Sequence, residues 1–219
     1  MPDDENKELI ESWNDNASAW TQVVREGKIE SRKLVTDAAI IEAIRSVNPG
    51  KVLDLGCGEG WLCRRLRALG IATVGIDVSL PLIEAAKAVD DGTYLQRSYA
   101  EFCDEPKAFG YFDAVVANFS VLGDDLSQIL SASRQALHPG GSIIVQTLHP
   151  GNIEQSDGWR VESFASFHGQ FPKAMPWYFR SLASWQKCLE AAGLRIREIR
   201  EPVHPNTGAP ASLLLIAAI

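Results

Sequence analysis

Three glycines alternate with other residues directly after an acidic residue, in the segment Asp54-Leu55-Gly56-Cys57-Gly58-Glu59-Gly60. An apolar run precedes the segment, and leucines at positions 62, 66 and 69 follow it with the spacing of a helix. The pattern predicts a strand, a tight loop and a helix. Because glycine has no Cβ, a ligand can lie against the loop backbone, where the first N–H groups of the helix are free to donate. In α/β proteins, nucleotide-like ligands bind at this position, beyond the carboxyl end of the first strand.

A second acidic residue supports this interpretation. Asp77 ends another apolar run and lies 23 residues after Asp54. A carboxylate at that point can accept hydrogen bonds from both hydroxyls of a ribose, or it can cap the next helix. The spacing of the glycines also disfavours two other kinds of ligand. A dinucleotide fold expects a third glycine where Trp61 stands, and a phosphate-binding P-loop expects Gly-Lys-Ser/Thr, which this segment lacks.

The glycine segment resembles motif I of the class I S-adenosylmethionine (SAM)-dependent methyltransferases, D/E-x-G-x-G-x-G, with Asp54 as the acid. Two further segments resemble this family: Phe112-Asp113-Ala114-Val115, typical of the start of its fourth strand, and Leu137-His138-Pro139-Gly140-Gly141, its L-x-P-G-G motif. The resemblance implies SAM as the methyl donor and S-adenosylhomocysteine as the product. It also implies a Rossmann-like, doubly wound α/β fold. In that fold a mostly parallel seven-stranded sheet has one antiparallel strand near an edge and an N-terminal helical cap.

The resemblance implies contacts to the cofactor at matching positions. The ribose would meet Asp77 and its neighbour Val78, and the methionine portion would meet the backbone at Asn118 and Phe119. The remaining contacts would come from the motif itself: Asp54, Gly56, Cys57 and Gly58.

Tyr99 departs from the family pattern, whereas Arg32 matches it. Where the family often has an Asp that contacts adenine, this chain has Tyr99, which either stacks on the ring or points away and leaves the N–H of Ala100 to contact the purine. Arg32 lies 22 residues before Asp54. It matches the arginine that meets the methionine carboxylate in quinone-biosynthesis O-methyltransferases, although it could also be a solvated helix residue.

The length suits a single domain, residues 1–219, with four parts. We expect a helical cap over 1–49 (helices near 6–25 and 31–47), a SAM-binding core over 50–149, an acceptor lid over 150–179, and a C-terminal helix with a strand hairpin over 180–219. The lid segment has seven aromatic residues but neither helical nor strand periodicity. It predicts an apolar or aromatic small-molecule acceptor, unless the aromatic residues only anchor the loop on the core.

Candidate catalytic groups are few. Methyl transfer requires mainly that the acceptor be aligned, and a general base helps when the acceptor is a hydroxyl. His149, just past the fifth strand, is the leading candidate for this base; His168 and Tyr178 are weaker candidates. Asp124 and Asp125 are better explained as a helix start than as metal ligands, so we expect no metal.

Composition limits the function class. The formal net charge of −7 disfavours nucleic acid as a substrate, and no apolar stretch reaches the ~20 residues of a membrane span. The four cysteines are isolated, and the N-terminus lacks the apolar core of a signal peptide, which fits a reducing, cytoplasmic setting.

Two alternative functions stay open. One is a SAM-binding regulatory protein without catalysis, and the other is a nicotinamide-dependent oxidoreductase, which would need a glycine at position 61 and a Tyr-x-x-x-Lys motif. The acceptor, the type of atom methylated and the oligomeric state do not follow from the sequence.

Overall fold

The computed structural model describes residues 2–152 and 156–219. Its α-helices are α1 (Pro2–Asp15), α2 (Ala17–Arg25), α3 (Asp37–Ser46), α4 (Trp61–Ala68), α5 (Leu80–Lys87), α6 (Tyr99–Asp104), α7 (Ser127–Gln135) and α8 (Leu182–Ala191). A π-helical segment, Arg32–Thr36, precedes α3, and short 3₁₀ turns span Pro150–Asn152 and Ala165–Phe167. The strands are β1 (Lys51–Leu55), β2 (Ala72–Asp77), β3 (Thr93–Gln96), β4 (Phe112–Asn118), β5 (Leu137–Thr147), β6 (Gly158–Glu162), β7 (Met175–Phe179), β8 (Arg195–Arg200) and β9 (Leu213–Ala218).

Seven strands form one sheet in the order β3-β2-β1-β4-β5-β9-β8. The pairs from β3 to β5 are parallel, and β9 runs antiparallel to both of its neighbours, β5 and β8. This confirms the predicted mostly parallel sheet with one antiparallel strand near its edge. The final two strands pair with each other and are added at the sheet edge beyond β5, as predicted, with β9 next to β5 and β8 outermost.

Helices cover both faces of the sheet. One face is packed by apolar residues of α6, α7 and α8, including Phe102, Ile129 and Trp185. The other face carries Val52, Val116, Ile144 and Leu214 against α3 and α4. The parallel strands therefore have two buried faces, which explains why they read as continuous apolar runs in the sequence.

Several helix boundaries differ from the sequence prediction. The first predicted helix is two helices that meet at Asn16, and the second contains the π-helical segment. α7 begins at Ser127, not at Asp124, and Leu137 belongs to β5. α5 ends at Lys87, and the side chain of Val89, just beyond it, is 49% exposed.

The segment over 150–179 is more regular than predicted. β6 and β7 form a separate antiparallel pair, in which Trp159 is opposite Tyr178. The expectation of a segment without strands was wrong, because Pro176 and consecutive aromatic residues hide the strand alternation. Within the described residues, no helix is both long and apolar enough to cross a membrane.

Candidate functional site

The glycine loop follows β1 and turns sharply at the carboxyl edge of the sheet. Gly56 and Gly58 have positive φ angles of 70° and 55°. A Cβ at Gly56 would lie 2.4 Å from the Cβ of Ser120, so this position excludes any side chain. A Cβ at Gly58 would have no described atom within 4 Å. The loop is therefore packed on one side and open at Gly58, as a ligand-binding loop requires.

Asp77 holds this loop in place. One carboxylate oxygen accepts a hydrogen bond from the N–H of Gly58 at 2.9 Å, and the other accepts from the N–H of Ser79 at 2.9 Å. The side chain is buried, and burial raises its pKa, although these backbone donors oppose the shift. Because a carboxylate has about four acceptor positions, each oxygen keeps capacity for a further donor such as a ribose hydroxyl.

Asp54 is buried beneath the loop. The Cys63 thiol donates to its carboxylate at 3.5 Å. Burial raises the pKa of Asp54 to about 7, and the nearby charge of Asp77 acts in the same direction. Cys57, within the loop, is also buried, and burial raises its pKa well above the usual value, so its thiol is not an activated nucleophile.

Arg32 lies in the π-helical segment, next to the start of α4. Its Nε donates to Asp37 at 2.9 Å, and its guanidinium lies 4.6 Å from the centre of the Trp61 ring. The Nη2 atom is buried and has no hydrogen-bond partner among the described residues. Arg32 is therefore held beside the glycine loop with one donor available, which the alternative of a solvated helix residue does not explain.

The end of β4 has a strained backbone. Phe119 has a φ of 54°, which is uncommon for a bulky residue, and its N–H donates to the carbonyl of Gln146 at 2.8 Å. Just before it, Asn118 has a buried side-chain oxygen that has no partner within the described chain. Strain of this kind often marks a binding site.

Tyr99 reaches across the carboxyl edge of the sheet. Its hydroxyl donates to the carbonyl of Ser120 at 3.1 Å, and the Ser120 hydroxyl donates to the carbonyl of Leu55 at 2.5 Å. Burial raises the pKa of the Tyr99 phenol. The Tyr99 hydroxyl thus joins two loops at this edge, and Ala100, the next residue, is exposed.

His149 lies at the carboxyl edge as predicted, but both ring nitrogens are engaged. The N–H of Gly151 donates to Nδ1 at 3.1 Å, so Nε2 carries the proton and donates to Glu201 at 2.8 Å. A role as general base would require one of these bonds to break. His168 is exposed, while Tyr178 packs its ring 5.6 Å from Trp159.

Sequence reasoning missed the cluster around Glu59, the residue between two loop glycines. Glu59 is 1% exposed and accepts hydrogen bonds from Arg64 at 2.6 and 2.7 Å and from Arg25 of α2 at 2.9 Å. Arg25 also donates to the carbonyl of Ala85. The sequence does contain a signal for this cluster, because Glu59 is an acidic residue inside the glycine loop. Its nearby partner is Arg64, whereas Arg25 lies 34 residues before it.

The β6–β7 hairpin is anchored to the cap helices. Trp20 packs edge-on against Phe164 and Phe171, at 6.3 and 5.8 Å between ring centres. The Asn16 side chain donates to the carbonyl of Lys173 at 2.7 Å and accepts from its N–H at 3.1 Å. The hairpin and the cap therefore share one aromatic cluster.

Known proteins agree with this architecture. A family model described as "Methyltransferase domain" matches residues 31–199. A malonyl-[acyl-carrier protein] O-methyltransferase from Pseudescherichia vulneris is 31% identical over 115 residues, which is 52% of this chain and 45% of that protein. A ubiquinone biosynthesis O-methyltransferase from Rhodopseudomonas palustris (strain TIE-1) is 30% identical over 147 residues, 66% of this chain and 54% of that protein. The chain thus spans about half the length of these relatives.

The fold also matches a solved structure. The S-adenosylmethionine dependent methyltransferase from Mesorhizobium loti superposes with a TM-score of 0.61 at 21% identity, over 80% of this chain and 95% of that one. At this identity the match supports the fold, while the family model covers most of the chain and includes the glycine loop, Asp77 and the β4 end. This chain therefore belongs to the methyltransferase-domain family.

Proposed function

We propose that this protein is a SAM-dependent methyltransferase that acts on a small-molecule acceptor and releases S-adenosylhomocysteine. Bound SAM would supply a methyl group on a positively charged sulfur. An acceptor lone pair would attack this methyl carbon in line with the C–S bond, which breaks and leaves the sulfur neutral in S-adenosylhomocysteine. Family membership and the O-methyltransferase names of the relatives support this function.

One observation carries the assignment of the cofactor. Arg32 Nη2 and Asn118 Oδ1 are buried and have no partner among the described residues, and both border the glycine loop or the strand beside it. Buried polar atoms are normally hydrogen-bonded. An amino-acid group provides the two complements, because its carboxylate accepts from Arg32 and its ammonium donates to Asn118.

The other residues have separable tasks in this proposal. Asp77, next to Val78, accepts the ribose hydroxyls while keeping the Gly58 N–H fixed, and the open backbone at Gly58 allows close approach. The backbone of Ala100 would read the adenine edge. Asp54, Gly56, Cys57, Tyr99 and Phe119 would line the cofactor site.

The net charge of the protein and the aromatic residues near the site support an uncharged acceptor. The formal charge of −7 disfavours a polyanionic substrate. The β6–β7 hairpin brings aromatic side chains toward the β4–α7 loop, since the N–H of Tyr178 donates to the carbonyl of Leu122 at 2.8 Å. We propose that residues 150–179 cover an uncharged, small acceptor and exclude water, which is the role of a lid. His149 remains a candidate base if the hydrogen bond from the Gly151 N–H to Nδ1, the unprotonated ring nitrogen, breaks on binding.

Calorimetry and a methyl-transfer assay test the proposal together. The protein should bind SAM and S-adenosylhomocysteine but not NAD, and should transfer label from methyl-labelled SAM to a member of a panel of phenols and amines. Binding of NAD alone would overturn the assignment. Binding of SAM without transfer to any of a broad panel would favour a regulatory SAM-binding protein.

A further inference from the structure

Gln146 is a fully buried polar residue near the end of β5. Its side chain is 0% exposed, and its Nε2 donates to the hydroxyl of Ser212 at 2.9 Å. Ser212 is also 0% exposed. The amide is thereby fixed, and its other atom, Oε1, is buried without a partner in the described part of the chain. Leaving a buried acceptor unsatisfied is unfavourable, so this atom marks a place where a donor from a ligand would be stabilising.

A second unpartnered oxygen lies beside it. Gln146 and Asn118 are register partners in the parallel pair β4–β5, so their side chains are on the same face of the sheet. That face packs against α3 and α4. Two amide oxygens without donors, Asn118 Oδ1 and Gln146 Oε1, are therefore neighbours at the carboxyl end of this face.

Thr36 adds a third polar atom over the same face. It ends the π-helical segment and precedes Ile40 by one turn, and Ile40 packs on this face of the sheet. Because α3 leads directly into β1, its first turn lies over the carboxyl end of the strands. Thr36 is 2% exposed, and its Oγ1 is also unpartnered among the described residues. Short π-helical turns occur frequently at functional sites.

The strand order indicates which ligand each oxygen serves. Asp77 ends β2, the glycine loop follows β1, Asn118 ends β4, and Gln146 lies one strand further, on β5. A cofactor with its ribose at Asp77 and its amino-acid group at Asn118 extends across three adjacent strands. Gln146 is then the next polar position beyond the cofactor.

We infer that Gln146 binds the methyl acceptor: its Oε1 accepts a hydrogen bond from an O–H or N–H group of that molecule, and Ser212 positions the amide. The inference rests on the proposed function. An uncharged amide oxygen, beside a second one, attracts donors and repels carboxylates, so it selects acceptors with a neutral hydroxyl or an amine. Since Gln146 is fully buried, such a molecule reaches it only when the packing over this face of β5 opens locally.

Phenol and anisole are a matched pair of probes, because anisole has no donor. Their binding to protein saturated with S-adenosylhomocysteine is measured by ligand-observed NMR, for the wild type, Gln146→Leu, Gln146→Glu and the control Thr147→Val on the opposite face of β5. Phenol should bind the wild type and Thr147→Val alike, and about tenfold more weakly to Gln146→Leu. Gln146→Glu, which keeps an acceptor oxygen, should retain phenol binding, and anisole should bind all four proteins equally weakly. Equal phenol affinity in the wild type and Gln146→Leu, or no phenol binding by the wild type, would overturn the inference.

The affinity for S-adenosylhomocysteine separates this inference from the proposed function. Gln146→Leu should leave that affinity within about twofold, whereas Asp77→Ala should lower it at least tenfold. An equal loss of both ligands in Gln146→Leu would assign the amide to the cofactor and overturn the acceptor role. A wild type that fails to bind S-adenosylhomocysteine at all would instead overturn the proposed function.

Ser212 provides a test of positioning. Ser212→Ala should weaken phenol binding, and Ser212→Thr, which keeps the hydroxyl, should restore it. If both variants change the unfolding temperature but neither changes phenol affinity, Ser212 is only structural and its positioning role is overturned.

Discussion

Arg25 and Glu59 form an ion pair, 2.9 Å from Nε to Oε2, that joins helix α2 of the cap to the glycine loop. The Glu59 side chain is 1% exposed and the Arg25 side chain 40% exposed. Removing Arg25 should therefore disturb the glycine loop as well as the cap. For this reason Arg25→Ala is not a suitable control for substitutions of Arg32.

We expect Arg25→Ala to weaken S-adenosylhomocysteine binding modestly. Arg64 still neutralises Glu59, and a partly exposed pair contributes roughly 0.2–1 kcal/mol, so affinity should fall by up to about fivefold. Lys28→Ala is the matched control, since Lys28 pairs with Glu26 on the cap surface and does not reach the loop. Calorimetry on both variants checks this; identical affinities would show that the cap does not influence the loop.

Asp77→Ala should lower the affinity for S-adenosylhomocysteine at least tenfold. The carboxylate would lose two ribose hydrogen bonds, at roughly 1.5–3 kcal/mol for bonds to a charged group, and the N–H of Gly58 would lose its acceptor. The measurement is calorimetry, with Asp91→Ala, an exposed acid, as the control. An unchanged dissociation constant would mean that Asp77 is only a loop anchor.

Arg32→Ala should weaken SAM binding, because the unpartnered Nη2 would no longer meet the methionine carboxylate. Lys33→Ala removes an exposed cation from the same π-helical segment and should have little effect. Arg32→Lys should restore binding only partly, since lysine lacks the planar fork and its stacking on Trp61. Equal losses at positions 32 and 33 would indicate a diffuse charge effect.

Asp54 should make stability depend on pH. Its folded pKa of about 7 exceeds the unfolded value near 4, so the folded protein holds a proton that the unfolded chain has lost. This contribution lowers stability as pH rises from about 4 to 7 and is constant above that. The unfolding temperature of Asp54→Asn, relative to the wild type, should therefore increase by several degrees between pH 5 and pH 8. A constant difference across this range would contradict the raised pKa.

The hairpin should become ordered with the cofactor. Hydrogen exchange over 158–179 should be fast in the free protein and slower with S-adenosylhomocysteine bound. Asn16→Ala should speed exchange near Lys173, because the backbone of that residue loses both of its hydrogen bonds to the Asn16 side chain. If the free protein already protects these residues as well as the central strands, they are a fixed part of the core and the lid proposal fails.

Local patterns were sufficient to predict the sheet and its glycine loop. Strands buried on both faces give apolar runs, and a loop that excludes side chains at Gly56 must contain glycine. Asp77 could be placed at the end of the second strand in the same way, because it ends such an apolar run. These features depend on residues close together in the chain.

The remaining features depend on distant partners. Glu59 accepts one of its hydrogen bonds from Arg25, and the Gln146 amide donates to Ser212; both partners are far away in the sequence. The position of His149 in the sequence predicts a candidate base, but its Nε2 contacts Glu201, a residue 52 positions away. The β6–β7 hairpin was missed because its stability comes from packing on Trp20, while its own alternation is weak.

The place of β9 has a consequence for how the chain is made. β9 lies between β5 and β8, although it follows every other strand in the sequence. On the ribosome, β5 therefore presents an unpaired edge, with Ile143, Ile144 and Val145 along it, until residues 213–218 have emerged. Such an apolar edge can pair with other chains. Nascent protein should consequently depend on chaperones until β9 has emerged, and shortening the chain before β9 should cause aggregation even though strands β1–β5 would already be complete.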